Sequence, residues 1–449
     1  MTVPVLVIGS TQSGAGKTTA TMALIAGLRG RGLKVQPFKV GPDYLDPSLL
    51  TWVAGRTCRN LDAWMLGEQQ LLELFQRAAR GADIAVVEGV MGLFDDRVGG
   101  GGGASTAAVA RALGAPVVLV LDASSSSQTV GAVAAGMSAA PGVKLAGVVL
   151  NRVASDRHLQ GCSEGLRAWG VPCLGWLARD DRLARPDRYL GLVSAAESLP
   201  PRTFRGRLTA AAERLDLSSM LRRAQPATSP AEGPLLFPAE PLPKRVRIAL
   251  ARDQAFHFYY HDALDLLDAW GAELVPFSPL TDAAVPADVD AIYIGGGYPE
   301  LFAEQLSANE SMRRSLRANY RRGALVYGEC GGAMYLGVGL EDAHGRHHRM
   351  VGLWPGRTRM RPRRLRVGYR RVRGVASNFL GARTLPGHEF HYSHLRATAR
   401  SWPAAWQILD DGGRSEGFSA PRLVASYVHL HLGAEPKLAA AFVDASLKL

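Results

Sequence analysis

Cysteine is scarce in this chain, and its scarcity excludes a scaffold held by disulfides or zinc. The 449 residues contain four cysteines without a Cys-x-x-Cys pair, namely Cys58, Cys162, Cys173 and Cys330. This scattered spacing supports neither a zinc site nor a disulfide framework, so we expect reduced thiols. Long apolar runs are also missing, since no stretch reaches the ~20 residues that a membrane helix requires. The N-terminus lacks a basic leader and a cleavage site, and we expect a cytoplasmic protein without a membrane partner.

Acidic residues are outnumbered by basic ones, 40 against 52, which gives a net charge of +12. No aromatic-interleaved RNA motif or helix-turn-helix pattern accompanies the arginines, so we expect no nucleic-acid partner. A polyanionic small substrate, or a bias toward arginine, explains the charge equally well. The densest arginine run, residues 356–374, alternates like an exposed strand pair and fits either a solvated basic face or a carboxylate-binding surface. The run HGRHH at 344–348 indicates an exposed loop in preference to a metal site.

Apolar, β-branched runs alternate with helix-like segments twice along the chain. In the first half they are VPVLVIG (3–9), KVQPFKV (34–40), IAVVEGV (84–90), PVVLVLDA (116–123) and LAGVVLN (145–151). In the second half they begin with RVRIALA (245–251) and close with VASYVH (424–429). This alternation predicts an α/β protein with two doubly wound, mostly parallel sheet domains. We place the domains at residues 1–224 and 245–449, with a Pro-rich linker at 225–244.

A glycine-rich turn follows the first predicted strand and precedes a helical pattern. The sequence STQSGAGKTT at residues 10–19 aims backbone N–H groups and a helix dipole at one spot, and its lysine adds a mobile cation. It departs from the strict P-loop pattern at one residue, because Thr11 stands where the first glycine belongs. Strand, loop and helix nevertheless occur in register. We therefore predict a nucleotide-binding site at Ser13, Gly14, Ala15, Gly16, Lys17, Thr18 and Thr19.

Carboxylates follow two further strands that we expect to run parallel to the P-loop strand. They occur in KVGPDYLDP (39–47) and in VVEGVMGLFDD (86–96). Ligands of open α/β sheets gather at the carboxyl ends of strands, and Mg²⁺ on a triphosphate takes hard oxygen ligands. Each Asp taken alone also fits a turn cap. Together they predict a Mg²⁺ site formed by Thr18, Asp43, Asp46 and Glu88, with Asp95 and Asp96 as weaker candidates.

The stretch GECGG at 328–332 ends an apolar run and precedes AMYLG, which continues as a helix. It has the form of a nucleophile elbow in which Cys330 takes the place of the nucleophile. We expect the start of the following helix to lower the pKa of this thiol. The alternative interpretation is a buried, inert cysteine that serves only as a small apolar residue.

A cysteine nucleophile also requires oxyanion donors and a base. The N–H group of Gly331 is the first predicted donor, and the second comes from Gly297 or its neighbour Gly296 in the loop IGGGYPE. We assign the role of base to His429, at the end of a late predicted strand, with His431 as the lesser alternative. These residues predict a thiol-dependent acyl-transfer site in the second domain.

Together the motifs carry a family resemblance. The second domain resembles class I glutamine amidotransferases, which are flavodoxin-like, and the first resembles the P-loop amidoligases of the dethiobiotin synthetase group. The order and wording of nine segments are similar to the cobyrinic acid a,c-diamide synthase family: FKVGPDYLDP, NLDAWM, VVEGVMGLFD, DQAFHFYY, FSPL, GGGYPELF, YGECGGAMYL, HEFHYSH and YVHLHL. The likeness covers nearly the whole chain except the linker and the basic stretch after residue 340.

That resemblance implies a glutamine-dependent ligase of cobalamin biosynthesis that uses ATP and Mg²⁺. The a and c carboxylates of a corrinoid polycarboxylate would become acyl phosphates, and ammonia released from L-glutamine by Cys330 and His429 would displace the phosphate. Hydrogenobyrinic acid and nickel-sirohydrochlorin remain open as alternative substrates. A homodimer is one assembly compatible with the family.

Two positions depart from the family pattern. His431 stands where most class I amidotransferases carry the glutamate that orients the histidine, and Tyr189 stands where a histidine is expected. The segment HEFHYSH (388–394) fits a substrate-proximal or a structural role equally well. Rival classes fit less well. A P-loop partitioning ATPase carries a lysine where Gln12 stands and has no Cys-His domain, while cobyric acid synthases share both domain types but differ in motif wording.

Overall fold

The computed structural model describes residues 2–97, 102–183, 187–188, 191–192, 200–231, 233–361, 364–375, 377–397 and 402–447. The chain divides into two compact units, Met1–Gly233 and Pro234–Leu449. The division therefore falls inside the Pro-rich segment 225–244. None of the helices in the described ranges combines the length and the apolar character that a bilayer span requires.

The first unit is built around one sheet whose strands alternate with helices. Its strands are β1 (Pro4–Ser10), β2 (Val35–Val40), β3 (Arg59–Leu61), β4 (Ile84–Glu88), β5 (Val117–Asp122), β6 (Leu145–Val153), β7 (Cys173–Ala178), β8 (Asp187–Arg188), β9 (Gly191–Leu192) and β10 (Gln225–Pro226). Its helices are α1 (Lys17–Gly30), α2 (Asp46–Ala54), α3 (Ala63–Leu66), α4 (Glu68–Ala79), α5 (Thr106–Leu113), α6 (Thr129–Ser138), α7 (Asp156–Ala168), α8 (Arg202–Ala212) and α9 (Leu217–Arg223).

The strand order in this sheet is β3-β2-β4-β1-β5-β6-β7, with every neighbouring pair parallel. The central strands β1 and β5 are buried along almost their whole length, because helices of a parallel α/β sheet cover both of its faces. The short β10 pairs with β1 in the antiparallel direction. Lys39 of β2 lies in register with Glu88 of β4, so the carboxyl ends of these two strands meet at one edge of the sheet.

The second unit combines a main sheet with smaller antiparallel sheets. Its strands are β11 (Val246–Ala251), β12 (Phe256–Phe258), β13 (Ala272–Phe277), β14 (Ala291–Ile294), β15 (Gly296–Gly297), β16 (Leu325–Glu329), β17 (Gly339–Glu341), β18 (His347–Arg349), β19 (Gly356–Met360), β20 (Arg366–Gly374), β21 (Thr384–His391), β22 (Ser393–Ala397), β23 (Trp406–Ile408), β24 (Arg414–Glu416), β25 (Phe418–Ala420), β26 (Leu423–Ser426) and β27 (His429–Leu430). Its helices are α10 (His261–Ala269), α11 (Ala303–Ala308), α12 (Glu310–Arg321), α13 (Gly331–Leu336) and α14 (Leu438–Leu447).

The main sheet of this unit has the order β13-β11-β14-β16-β26-β25, and only the edge pair β25–β26 is antiparallel. Strand β16 therefore lies between β14 and β26. The loops that leave the carboxyl ends of these three strands carry the glycine loop, the cysteine and the histidines. The prediction of an α/β protein with two mostly parallel sheets is confirmed.

The late strand differs from its prediction. The sequence VASYVH was interpreted as one strand ending at His429, but β26 ends at Ser426, and His429 belongs to β27. Strand β27 pairs in the antiparallel direction with β21, in a different sheet. At the change of sheets the Ser426 hydroxyl accepts from the Val428 N–H at 2.9 Å, a local bond that competes with strand pairing.

Two expectations about the basic region also need correction. The run 356–374 does not form a strand pair, because β19 pairs with β17 and β22, whereas β20 pairs with β21 and β23. The run HGRHH is only partly a loop. His347 is exposed, but it begins β18, which forms a hairpin with β17, and Nε2 of His348 lies 3.0 Å from Oδ2 of Asp342.

Candidate active sites in the two units

The turn between β1 and α1 depends on two glycines with left-handed backbones. The φ angles are 75° at Gly14 and 93° at Gly16, and a Cβ atom at Gly16 would overlap Nδ2 of Asn151. Helix α1 begins at Lys17, and its first turn contains no acidic residue and no side-chain cap within the described structure. The N–H groups at this helix start are therefore suited to an anion such as a phosphate.

Residues at the end of β6 support this loop from behind. Nδ2 of Asn151 donates to the Ala15 carbonyl at 2.8 Å, and Arg152 donates to the Gly14 carbonyl at 2.9 Å. Arg152 also forms an ion pair with Asp122 at the end of β5. Sequence reasoning assigned no role to this pair of residues. The sequence feature that could have indicated a role is their position at the end of an apolar run, because parallel strands present polar side chains to a site at their carboxyl ends.

Lys17 is held against the backbone of the neighbouring loops. Its Nζ atom donates to the Met91 carbonyl at 2.6 Å and to the Ser10 hydroxyl at 3.0 Å. Burial, followed by the positive charge of Lys39, lowers the pKa of Lys17 to about 8. The other predicted nucleotide-binding residues lie in the same loop and the first turn of α1: Ser13 is exposed, Ala15 is buried, and Thr18 and Thr19 are half-buried.

The predicted metal ligands gather around a lysine that sequence reasoning did not single out. Nζ of Lys39 lies 2.6 Å from Asp46, 2.8 Å from Glu88 and 3.7 Å from Asp43. The Thr18 hydroxyl donates to Oε1 of Glu88 at 2.8 Å. The structure thus brings all four predicted ligands to one place. The available signal for Lys39 was a lysine near the end of a mostly apolar predicted strand.

Electrostatics at this cluster follow from burial and from one ammonium group. Burial raises the pKa of Glu88 and of Asp43, and the charge of Asp46 adds to both shifts. Burial alone would raise the pKa of Asp46 too, but the Lys39 ammonium outweighs it, so this pKa is lowered. The carboxylates hold the pKa of Lys39 well above its usual value despite its burial. The cluster is therefore built to hold a cation.

The donor set fits Mg²⁺ bound together with a nucleotide. Oε2 of Glu88 is buried and has no hydrogen-bond partner within the described ranges, which leaves an oxygen available to a metal. Those ranges contain no ready-made enclosure of three His, Cys, Asp or Glu side chains. Mg²⁺ does not require one, because it commonly takes one or two carboxylates and completes its octahedron with phosphates and water. Asp95 is engaged elsewhere, since its Oδ2 accepts from the Gly92 N–H at 2.7 Å.

In the second unit, Cys330 occupies the sharp turn between β16 and α13. Its φ angle is 47°, a left-handed conformation that a residue with a side chain seldom adopts. The Cys330 N–H donates to the Ser426 carbonyl at 2.7 Å, which ties the turn to the end of β26. Strained residues of this kind persist only where the surrounding structure holds them, and they cluster at active sites.

The expected lowering of the Cys330 pKa is wrong for the thiol in this structure. Burial raises the pKa of Cys330, and the negative charge of Glu300 adds to the shift. Only 6% of the residue is exposed, so desolvation of the thiolate outweighs the short helix α13. The sequence could not give the depth of burial on which this outcome depends.

Glycines let the loop that carries Gly296 and Gly297 approach both the Cys330 turn and His429. A Cβ atom at Gly331 would lie 3.1 Å from the backbone nitrogen of Gly297, so the backbones of these two residues approach closely. A Cβ atom at Gly296 would lie 2.7 Å from Cε1 of His429. The imidazole therefore packs directly on the glycine loop beside the cysteine turn. Only residues without side chains permit this approach.

His429 is enclosed by buried aromatic and acidic groups. Its ring stacks on His388 with centroids 4.7 Å apart, and Nδ1 lies 4.0 Å from Oε2 of Glu329. Burial, and then the charge of His391, lowers the pKa of His429 to about 3, so the imidazole is neutral near pH 7. A neutral imidazole can accept a proton, which is the property that a general base requires.

The second candidate base, His431, is held differently. Its Nδ1 accepts from the Gly433 N–H at 2.9 Å, and its ring lies 4.7 Å from that of Tyr260. Burial lowers its pKa to about 3. With Nδ1 engaged by the backbone, the described contacts of His431 are those of a packed structural residue.

The segment HEFHYSH packs beside these histidines. His388 stacks on His429, and the His391 ring stacks on Tyr427 with centroids 4.0 Å apart. Glu389 is buried and forms ion pairs with Arg370 at 2.7 Å and Arg414 at 2.9 Å. Arg370 of the basic run therefore has a structural partner, as do Arg359 and Arg371, which pair with Glu341 and Asp410. Tyr189, the other position that departs from the family pattern, lies outside the described residues.

Comparison with known proteins assigns the class of each unit. Residues 6–191 match the family described as CobQ/CobB/MinD/ParA nucleotide binding domain. Residues 247–437 match the family described as CobB/CobQ-like glutamine amidotransferase domain. The chain is thus an enzyme that joins a nucleotide-binding unit to a glutamine amidotransferase unit.

Curated relatives align over the full chain. A cobyrinate a,c-diamide synthase of Syntrophotalea carbinolica is 45% identical over 99% of this chain and 99% of its own length. Proteins of the same name from Dehalococcoides mccartyi and Salmonella typhimurium are each 40% identical, over 99% and 96% of this chain and equal shares of their own. The chain belongs to the cobyrinate a,c-diamide synthase family. A solved structure described as a glutamine amidotransferase covers 44% of this chain and 98% of its own, with 14% identity and a TM-score of 0.34.

Proposed function

We propose that this enzyme converts the a and c side-chain carboxylates of cobyrinate to amides, with ATP as energy source and glutamine as nitrogen donor. The observation that carries the proposal is the full-length alignment, at 45% identity, with a protein named cobyrinate a,c-diamide synthase. The two clusters described above supply residues suited to the two halves of the chemistry. The first unit would activate the carboxylate, and the second would release ammonia.

In the second unit, the Cys330 thiol gives its proton to His429 and the sulfur attacks the side-chain carbonyl of glutamine. The N–H groups of Gly331 and Gly297 hold the oxyanion, and the carbon–nitrogen bond then breaks. The departing ammonia takes the proton from His429 and leaves a thioester on Cys330. Water, deprotonated by the same histidine, releases glutamate and restores the thiol. The contact between the glycine loop and His429 supports this assignment, because the same loop also lies against the turn that carries Cys330.

In the first unit, a carboxylate oxygen of the substrate attacks the γ-phosphorus of ATP, and ADP leaves. Ammonia then attacks the acyl carbon of the resulting acyl phosphate, and inorganic phosphate leaves as the amide forms. The loop from Ser13 to Thr19 and the Lys17 ammonium would hold the phosphates. Repeating the sequence on the second side chain would yield the diamide.

Mg²⁺ is the cation that the cluster around Lys39 would accept when the nucleotide binds. Thr18, Asp46 and Glu88 would hold it directly, and Asp43 would contribute through its position next to Lys39. The ion would supply charge neutralisation for the phosphoryl group in flight. Oε2 of Glu88, which has no hydrogen-bond partner in the described part of the chain, supports this assignment.

Substrate identity is tested by offering purified enzyme MgATP and glutamine together with cobyrinate, hydrogenobyrinate or nickel-sirohydrochlorin in separate reactions. Mass spectrometry counts the amides formed on each macrocycle. We expect two amides on cobyrinate, and amidation of nickel-sirohydrochlorin alone would contradict the proposal. Gel filtration with light scattering tests the homodimer, which stays a prediction.

A further inference from the structure

Position 431, two residues after His429, holds a histidine where most class I amidotransferases carry a glutamate. Another carboxylate, that of Glu329, lies close to His429 instead. Oε2 of Glu329 lies 4.0 Å from Nδ1 of His429, and both side chains are buried. Glu329 is the last residue of β16, directly before Cys330, and β16 pairs in parallel with β26, from which the chain continues to His429. In hydrolases of this chemistry, a carboxylate beside Nδ1 fixes the tautomer and the orientation of the imidazole.

Glu329 is held by donors that determine which of its oxygens faces the histidine. Oε1 accepts from the Tyr327 hydroxyl at 2.7 Å and from the Leu430 N–H at 3.1 Å. Oε2 accepts from the Tyr293 hydroxyl at 2.9 Å. A backbone N–H cannot reverse its polarity, so Oε1 is committed to Leu430. Oε2 is the oxygen that remains for His429.

We propose that Glu329 is the positioning residue of the glutaminase site, and that its carboxylate keeps the hydrogen of neutral His429 on Nδ1. The Nε2 lone pair is then left to take the proton of the Cys330 thiol. The imidazolium formed in that step carries its positive charge next to the Glu329 carboxylate. This inference deepens the proposed function and rests on it.

A further observation supports the assignment. His431, at the usual position of the orienting acid, accepts a hydrogen bond from the Gly433 backbone and is not a carboxylate. The separation of 4.0 Å is longer than a hydrogen bond, as is common for catalytic contacts before substrate binds. We expect the separation between Oε2 of Glu329 and Nδ1 of His429 to shorten when glutamine binds.

The variant Glu329→Gln gives a directional test because the amide can adopt only one orientation. Its oxygen must take the place of Oε1 to accept from Leu430, which puts the NH₂ group in the place of Oε2. The Tyr293 hydroxyl can rotate to accept from that group. The NH₂ group then faces Nδ1 of His429 and favours the tautomer with hydrogen on Nε2, which cannot take a proton from the thiol.

Glu416→Gln is the matched control. Glu416 is also buried in the second unit, and burial raises the pKa of both carboxyls to about 7. It accepts from the Ser426 hydroxyl at 2.5 Å and from the Tyr427 N–H at 2.8 Å. A glutamine can satisfy the same partners, since the Ser426 oxygen can accept from an amide. This control therefore reports the cost of replacing a buried carboxylate that does not face His429.

The experiment uses the full-length enzyme at pH 8 and three readouts: glutamine hydrolysis, amidation with ammonium chloride, and the His429 tautomer from ¹⁵N–¹H correlation spectra. The His429 signals are assigned by their loss in His429→Gln. We expect Glu329→Gln to lower kcat for glutamine hydrolysis by about 10²–10⁴-fold with KM little changed. We expect its His429 to carry hydrogen on Nε2, whereas the wild-type enzyme and Glu416→Gln carry it on Nδ1. Amidation with ammonium chloride should equal that of wild-type.

Each contrary result has one meaning. A wild-type His429 with hydrogen on Nε2 overturns the inference even if Glu329→Gln does not fold. A Glu329→Gln enzyme with wild-type kcat also overturns it but leaves the proposed function intact, provided that Cys330→Ala is inactive with glutamine. Full glutamine hydrolysis by Cys330→Ala overturns the proposed function itself.

Discussion

Nζ of Lys39 lies 2.8 Å from Oε1 of Glu88, and both side chains are buried at the edge of the first sheet. The pair lies in register on adjacent parallel strands, so it is fixed by the fold. An ammonium group thus stands among the oxygens proposed to receive Mg²⁺. The cluster holds the Lys39 ammonium from within the chain and, in the proposed function, would hold Mg²⁺ when nucleotide binds.

Replacing Lys39 by Met should destabilise the protein and increase its need for metal. Removal of one partner from a buried ion pair leaves an uncompensated charge and costs about 3–5 kcal/mol. We expect Lys39→Met to melt well below wild-type in EDTA and to recover part of the loss when Mn²⁺ is added. Electron paramagnetic resonance should show tighter Mn²⁺ binding without nucleotide. The control is Lys244→Met, which breaks an exposed pair with Asp268 and should cost less than about 1 kcal/mol. Equal melting of both variants would refute this account of Lys39.

A methyl group at Gly296 should impair only the glutaminase. The Cβ atom would press on Cε1 of His429 at 2.7 Å and displace the base. Misplacement by about 1 Å costs on the order of 10²-fold in rate. We expect Gly296→Ala to lose glutamine-dependent amidation and to keep amidation with ammonium chloride. The control Gly136→Ala adds a methyl group in α6 where, among the described residues, no atom beyond the neighbouring residues and the helix's own backbone lies within 4 Å. It should alter neither rate. Wild-type glutamine use by Gly296→Ala would show that His429 does not occupy the position described.

Acid should destabilise the protein partly through His431. Burial lowers its folded pKa to about 3 from the ordinary value of 6.5. The unfolded chain therefore binds more protons than the folded chain between these values, and stability present above pH 6.5 is lost as the pH falls. For one group the slope approaches ~1.4 kcal/mol per pH unit. Urea unfolding at pH 7 and pH 4.5 should show a smaller loss for His431→Gln than for wild-type. The exposed His347→Gln should match wild-type, and equal losses for all three proteins would contradict the burial argument.

Cys330 should react slowly with iodoacetamide in the absence of glutamine. Burial raises the pKa of the thiol and shields it, and only the thiolate is a nucleophile. Cys173 is exposed and serves as an internal comparison. Peptide mass spectrometry after brief treatment at pH 7.5 should show label on Cys173 before Cys330. Label appearing first on Cys330 would mean that the thiol is activated before substrate arrives, as the sequence alone had suggested.

Local patterns in the sequence predicted the parallel sheets and the chemistry at their strand ends. Apolar runs predict β1, β4 and β5 because a strand that helices cover on both faces is apolar along nearly its whole length. The glycines of GECGG predict a sharp turn, because glycine tolerates backbone angles that other residues disfavour. Cys330 lies in this turn and has a φ angle of 47°. These features depend on residues that are neighbours in the sequence, and local sequence patterns therefore predict them.

Contacts between distant segments were not predictable in the same way. His388 lies 41 positions before His429, and their stacking depends on the pairing of β21 with β27, two strands that the sequence pattern did not reveal. Glu329 was overlooked because its role depends on which face of β16 points toward β27. The raised pKa of Cys330 depends on burial, a property of the whole unit. Such features follow from packing and not from periodicity.

In the proposed function, ammonia released from glutamine at Cys330 is consumed at the nucleotide site that contains Lys17. The most direct measurement is the yield of diamide from cobyrinate and MgATP, with either glutamine or ammonium chloride as the nitrogen source, for wild-type, Cys330→Ala and Lys17→Ala. We predict that Cys330→Ala makes no diamide from glutamine and a wild-type amount from ammonium chloride, while Lys17→Ala makes none from either. Diamide formed from glutamine by Cys330→Ala, or from ammonium chloride by Lys17→Ala at the wild-type rate, would contradict the account.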